Sequence, residues 1–173
     1  METASASLSI TDIDGTGHSI STSNSVVEEY FLRCTSPGRG GGSFYNQSGA
    51  TPVVTDSVET GIVVGTGTTA VAPTDYQLAT PIADGTSSGT LEYFSSSGTN
   101  LTISAPTGSF DLERLFRNSS GGTITINEVG VYAAAHPSSE VRGFCIIRDL
   151  VSPGFAVLNG EYMRVVYTIS VTA

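Results

Sequence analysis

The side chains that could carry out chemistry are few and scattered along the sequence. The two histidines, His18 and His136, do not recur at the spacing of metal ligands, and neither lies in a context that presents a nucleophile. Cys34 and Cys145 are far apart and form no CxxC pair, which disfavours a zinc site and a dithiol redox motif. Both cysteines are expected to be buried free thiols or, alternatively, to form a disulfide with each other.

Three short motifs resemble known sites, but each is incomplete. Asp12-Ile13-Asp14-Gly15 looks like a fragment of a calcium loop without the later oxygen ligands and the closing glutamate. Gly65-Thr66-Gly67-Thr68-Thr69 lacks the Gly-Lys pair of a phosphate loop, and we expect a turn in which glycine permits positive φ. Gly85-Thr86-Ser87-Ser88-Gly89 misses the spacing of a nucleophile elbow. We therefore predict no catalytic, cofactor-binding or metal-binding residue, and no cofactor.

One pair of acids has the spacing that a glycosidase could use. Asp111 and Glu113 are two apart on a predicted strand, so they would share one face of a sheet. Arg114 and Arg117 lie beside them, and surface ion pairing is the simpler interpretation. The sequence does not favour an enzyme.

Composition limits the size of the fold and the choice of partner. A chain of 173 residues with 39% hydrophobic content can bury one sizeable core, which indicates a single domain. The net charge is −9 and all seven basic residues are arginine, so we expect no nucleic-acid partner. The start lacks the pattern of a secretory signal, and no segment approaches the roughly 20 apolar residues that span a bilayer. We expect a protein that is soluble at synthesis and has no membrane partner.

Short apolar runs separated by turn-forming residues predict an all-β protein. The clearest strand is the last, in which five apolar residues alternate with mostly polar ones: Met163, Val165, Tyr167, Ile169 and Val171. Ile124 and Ile126 should also point inward, and the alternation shifts phase at Asn127-Glu128, which indicates a bulge or a change of sheet. The pattern favours an antiparallel two-sheet β-sandwich, Ig-like or jelly-roll-like, over an α/β fold.

The N-terminal part of the chain has a different character. Residues 1–25 are small and polar, and we expect an extended arm that pairs with a neighbouring subunit rather than with its own sandwich. Residues 26–173 form the predicted sandwich domain. Within it, residues 26–33 fit a short helix or a strand, of which we favour the strand, and residues 36–43 form a glycine-rich loop.

Three parts of the sequence resemble one family. Residues 62–78, IVVGTGTTAVAPTDYQL, resemble the VGTGTT-x-x-x-PTDY-x-L stretch of small structural proteins encoded by tailed bacterial and archaeal viruses. Residues 117–132, RNSSGGTITINEVGVY, are similar to the F-x-N-x-SGG-x-ITI-x-EVGLY segment of those proteins. Ile147-Arg148-Asp149 and the stretch VVYTI at residues 165–169 are similar to their ARD and V-x-YTI ending.

The resemblance implies a role in virion assembly. The expected protein is a capsid decoration, a connector, or a tail, fibre or baseplate element, located in the virion and synthesised in the host cytoplasm. Its partners would be other virion proteins and copies of itself as a homo-oligomer. The alternative is a receptor- or glycan-binding module of a virion fibre, for which Tyr45, Tyr76 and Tyr93 are the candidate aromatic side chains.

Overall fold

The computed structural model describes residues 3–12, 17–20, 61–98, 102–135 and 142–172, and this part of the chain consists of strands and loops. It contains no helix long and apolar enough to cross a membrane. The strands are β1 Thr3–Asp12, β2 Gly17–Ile20, β3 Gly61–Gly65, β4 Glu92–Tyr93, β5 Ser97–Gly98, β6 Thr102–Ser104, β7 Thr107–Arg117, β8 Ile124–Ala135, β9 Arg142–Val157 and β10 Tyr162–Thr172. The all-β prediction is confirmed for the described residues.

The larger sheet is antiparallel, with the strand order β2-β1-β10-β7-β4, and β5 and β6 also pair with β7. Its centre is the pair β7 and β10, which are in register from Tyr162 opposite Arg117 to Thr172 opposite Thr107. Buried and partly exposed residues alternate along both strands, as the pleat requires. The predicted last strand is confirmed, because Met163, Val165, Tyr167 and Ile169 are all buried.

The smaller sheet contains β3, β8 and β9, again antiparallel. Its register shifts after Ile126, which pairs with Phe155, because the next paired residue, Glu128, lies opposite Leu150. Asn127 therefore faces four residues of β9, and the predicted bulge is confirmed. Ile124 and Ile126 are buried, as their alternation indicated.

The inward-facing side chains of the two sheets belong to one hydrophobic cluster. It includes Phe116 and Val165 from the larger sheet and Ile62, Val131 and Val157 from the smaller one. Because apolar area contributes about 25 cal/mol per Å² when it leaves water, this shared core is the main source of stability.

The described part of the N-terminal arm belongs to the chain's own larger sheet. β1 pairs with β10 over its whole length, from Thr3 opposite Thr172 to Asp12 opposite Met163, and Ile10 is fully buried. The expectation that the arm pairs with a neighbour instead is therefore corrected. The physical reason is the free edge of β10, whose backbone groups β1 satisfies within one chain.

Several predictions fall outside the described residues. They concern Cys34, Tyr45, residues 26–33 and the glycine-rich loop at residues 36–43.

Candidate functional site

Glu128 is the buried centre of the best-defined polar site. It lies on β8 directly after the bulge and has no exposed surface. One carboxylate oxygen, Oε1, accepts hydrogen bonds from the backbone N–H groups of Gly67 at 3.1 Å and Thr80 at 2.7 Å. The other, Oε2, accepts from the N–H of Ala79 at 3.0 Å. A buried charge is tolerated in a core only with such a set of donors.

Arg148 neutralises this carboxylate from the neighbouring strand β9. Its Nε atom donates to Glu128 Oε2 at 2.9 Å, and its Nη1 atom donates to Asp75 Oδ2 at 2.6 Å. Its Nη2 atom donates to the carbonyl oxygen of Thr69 at 2.9 Å. The planar guanidinium thus joins two carboxylates and a loop backbone, a geometry that a lysine could not reproduce. We call Asp75, Glu128 and Arg148 the acid–arginine cluster.

The cluster holds the loop of residues 66–80 between β3 and the next chain segment. Gly65 and Gly67 stand where this loop passes over the Glu128 carboxylate. A Cβ atom at Gly65 would lie 2.6 Å from Glu128 Oε1, and one at Gly67 would lie closer still. Both glycines have ordinary negative-φ backbone, so the expectation that they provide positive φ is wrong. They are required for close approach of the backbone to a buried side chain.

Asp75 closes a turn within the same loop. The N–H of Asp75 donates to the carbonyl of Ala72, and the Asp75 carboxylate accepts from the N–H of Ala72 at 2.9 Å. Pro73 follows Ala72, where its fixed φ suits such a turn. The hydrogen bond from Ala72 and then the bond from Arg148 lower the pKa of the Asp75 carboxyl below its ordinary value. Asp75 therefore remains charged at neutral pH and fixes Arg148 to the loop.

Tyr132 anchors the far end of this loop. Its hydroxyl oxygen accepts a hydrogen bond from the N–H of Leu78 at 2.7 Å, and the Leu78 side chain is fully buried. Burial raises the pKa of the Tyr132 hydroxyl to about 12, so it stays protonated. The N–H of Cys145 donates to the carbonyl of Tyr76, which ties the loop to β9 as well.

Cys145 is a free thiol in the structure, half-buried beside the loop. Burial raises its pKa to about 12, which keeps it as the unreactive thiol. Cys34, its alternative disulfide partner, lies outside the described residues.

The acid–arginine cluster has the chemistry of a structural clamp. The carboxylate of Glu128 accepts four hydrogen bonds, from Gly67, Thr80, Ala79 and Arg148, and these occupy its four lone-pair positions. Across the described residues, no group of three or more His, Cys, Asp and Glu side chains could hold a metal ion. What the cluster does is fix residues 66–80 to β8 and β9 of the smaller sheet.

The predicted acid pair is found on one face of the larger sheet. Glu113 pairs with Arg164 of β10, and this hydrogen bond lowers the pKa of the Glu113 carboxyl. Asp111 accepts a hydrogen bond from the Thr168 hydroxyl at 2.6 Å. Both acids therefore contact β10. The Nη1 atom of Arg117 lies 3.7 Å from Oε2 of Glu92.

Arg114 was expected to pair at the surface, and this expectation is wrong. It is only 1% exposed and points into the core. Its Nε atom donates to the Phe94 carbonyl at 2.6 Å and its Nη1 atom to the Ile62 carbonyl at 3.0 Å. Its guanidinium also lies 4.8 Å from the ring centroid of Tyr93. The β7 alternation of Phe110, Leu112 and Phe116 placed position 114 on the inner face, which was the signal that sequence reasoning missed.

The remaining motif residues also have internal roles. Asn118 is fully buried and donates to the carbonyl oxygens of Gly122 and Val157, each at 2.8 Å. The Tyr167 hydroxyl donates to Asp149 Oδ2 at 2.9 Å, which joins β10 to β9. Of the other candidates, Gly85 and Gly89 lie in an exposed turn, and His18 lies on β2, whereas His136 and residues 13–16 lie outside the described residues.

Comparison of the chain with protein-family models, with curated proteins and with solved structures finds no match.

Proposed function

We propose that this chain is a non-enzymatic structural protein of a tailed-virus particle, assembling through contacts with copies of itself and with neighbouring virion proteins. The observation that carries the proposal concerns the three segments that resemble structural proteins of tailed viruses. All three contribute residues to the acid–arginine cluster or its contacts. Gly67 and Asp75 come from the first segment, Glu128 from the second and Arg148 from the third. Residues shared with a family of structural proteins are used here to shape a loop and its supporting sheet.

For the fold we propose a β-sandwich in which the two sheets face each other. The support comes from buried polar contacts that cross between the sheets. Tyr167 of the larger sheet donates to Asp149 of the smaller one, and Arg114 of β7 donates to the carbonyl of Ile62 on β3. Satisfied buried polar contacts help to specify one arrangement of a core, which supports face-to-face packing of the two sheets.

The loop held by the acid–arginine cluster supports a contact role. It exposes two apolar side chains, Val71 at 44% and Tyr76 at 68%, although hydrogen bonds hold the loop at Thr69, Asp75 and Leu78. A rigid loop that presents apolar side chains loses little conformational entropy on binding.

The test is to locate the chain in assembled particles. A cryo-EM map of the particle is expected to contain density for this chain at symmetry-related positions, in contact with virion proteins. A particle that lacks the chain altogether, with the chain found only among non-virion proteins, contradicts the proposal.

The alternative function, glycan or receptor binding, is favoured by one observation. Tyr76 is widely exposed on a rigid loop, whereas Tyr93 is buried and donates its hydroxyl to the Ile82 carbonyl. Tyr76→Ala should therefore abolish any signal on a glycan array, and Tyr76→Phe should keep it. If the wild-type protein gives no signal, glycan binding is contradicted.

A further inference from the structure

The outward face of the larger sheet differs from the rest of the described surface in its charge. Three rows of residues cross β10, β7 and the short strands at one end of this face: Tyr162, Arg117 and Glu92, then Arg164, Leu115 and Phe94, then Val166, Glu113 and Ser97. Each row contains at least one charged side chain next to an apolar or aromatic one. We call these nine residues the outer-face patch.

Among the described side chains, the exposed arginines lie in this patch. Arg117 and Arg164 are 41% and 52% exposed, whereas Arg114 and Arg148 are buried. Glu92 and Glu113 accompany the two arginines, so these four charges balance in a chain whose net charge is −9. Two copies of such an acidic chain repel each other least where each presents balanced charges.

The apolar members of the patch are partly exposed and organised. The rings of Phe94 and Tyr162 lie 6.2 Å apart, and the Arg117 guanidinium lies 5.5 Å from the Tyr162 ring centroid. Phe94 is 38% exposed. Aromatic side chains and arginine are the residue types enriched at protein interfaces.

The size of the face also suits a partner protein. β7 and β10 are 11 residues long, which at about 3.4 Å per residue gives a length of about 37 Å. Four strands at a spacing of about 4.8 Å give a width of about 19 Å, so the whole outward face covers about 700 Å² and the outer-face patch about a third of it. A standard interface buries about 800 Å² on each partner, so a contact centred on the patch would use most of this face. Beyond the patch the same face carries small hydroxyl residues, such as Thr168 and Ser170, which permit close approach.

We propose that the outer-face patch is the centre of the interface between two copies of this chain, related by a two-fold axis. In this isologous contact Arg164 of each copy meets Glu113 of the other, and the Phe94 and Tyr162 rings of both copies pack together. The inference rests on the proposed function in that it specifies one self-contact of the assembly. Charge complementarity selects a second copy as the partner, because the patch carries both signs in equal number.

Charge reversal tests this contact in solution with the full chain. Sedimentation velocity is expected to show a concentration-dependent dimer for the wild type. Arg164→Glu and Glu113→Arg, each alone, place like charges across the axis and should raise the dissociation constant at least tenfold. An equimolar mixture of these two variants should dimerise again, because each variant then meets a partner of opposite charge. The surface pair contributes little to folding, so both variants should keep the wild-type thermal midpoint.

A second pair of variants tests the apolar part. Phe94→Ser should weaken the dimer at least tenfold. Ile103→Ser is the matched control. Ile103 is 75% exposed, but its pairing with β7 places it outside the outer-face patch and on the other face of the sheet, so this variant should leave the dimer unchanged. A wild-type chain that is monomeric at every concentration overturns this inference. So does a dimer that all three patch variants leave intact, which would place the contact elsewhere. Neither result bears on the cryo-EM test of particle membership, so the two proposals fail separately.

Discussion

Glu128 shows how one charged residue can be part of a core. Its carboxylate lies without exposed surface because three backbone N–H groups and Arg148 replace the water that it loses. Removing one charged partner is costly, because the other charge stays buried without the group that compensated it. The cluster therefore gives sharp predictions for single substitutions.

Arg148→Met is expected to lower the free energy of unfolding by about 3–5 kcal/mol, because it leaves the Glu128 carboxylate buried without its cation. Urea denaturation followed by circular dichroism measures the loss. The matched control is Arg164→Met, which removes an exposed arginine from its pair with Glu113 and should cost about 1 kcal/mol or less. Equal losses for the two variants would contradict the role given to the acid–arginine cluster.

Gly67→Ala tests the close approach of the loop to Glu128. The added methyl group would meet the carboxylate and the side chain of Ala79, so we expect a loss of about 1–3 kcal/mol. Gly122→Ala adds the same atom where nothing lies within 4 Å, and its effect should stay within about 0.5 kcal/mol. Thermal unfolding of both variants separates a packing requirement from the general cost of replacing glycine.

At the scale of the element, Asp75 links the loop of residues 66–80 to pH. The pKa of its carboxyl is lowered in the folded protein, first by the Ala72 N–H and then by Arg148, from an ordinary value of 3.8. A carboxyl with a lowered folded-state pKa contributes stability above its unfolded pKa, and that contribution is lost as the pH falls through the folded value. Acidification below about pH 4 should therefore loosen this loop.

Asp75→Asn is the variant that isolates this effect. It should be less stable than the wild type at pH 7, and the difference should shrink towards pH 3, because protonation removes the same charge from the wild type. Thermal midpoints at pH values from 7 to 3 measure the convergence. Glu113 also has a lowered pKa, from its bond to Arg164, and titrates in both proteins, so it cancels in the comparison. A constant difference across the pH range would show that the Asp75 charge has no part in it.

The last strand was predictable in detail, and its buried face is sensitive to an added charge. Tyr167 is fully buried and donates to Asp149, and burial, followed by the Asp149 charge, raises the pKa of its hydroxyl. Tyr167→Asp would bury a second carboxylate beside that of Asp149, at a cost of several kcal/mol. We expect no folded, soluble protein. The control Tyr162→Asp, on the outer face of the same strand, should fold, as judged by its circular dichroism spectrum.

At the scale of the whole molecule, local patterns were readable in the sequence and long-range polar pairings were not. The alternation in β10 and the phase shift at Asn127 depend on neighbouring residues, so both were predicted. Arg114 and Glu128 were harder, because a charged residue is usually exposed, and only distant donors and acceptors make burial acceptable. The loop glycines show the same limit, because glycine is required there only by the Glu128 side chain, which is more than 60 residues away in the sequence.

The position of the N-terminal arm is the largest difference between sequence and structure. The segment looked unfit for a core because it is polar, yet its backbone can still complete the edge of a sheet. β1 pairs with β10 along ten residue pairs, and Ile10 joins the core opposite Val165. Without β1, the edge of β10 would expose unpaired backbone groups.

Deleting residues 1–20 tests this placement and is expected to destabilise the isolated subunit. The loss of β1 and β2 removes the buried Ile10 side chain and the hydrogen bonds along β10, so the thermal midpoint should fall by at least about 10 °C. The exposed edge of β10 should also promote aggregation. The milder variant Ile10→Ala keeps the backbone pairing and should cost about 2–5 kcal/mol through its cavity alone. If the truncated chain unfolds at the wild-type temperature, β1 contributes nothing to the subunit, and pairing of the arm with a neighbouring copy becomes the better account of these residues.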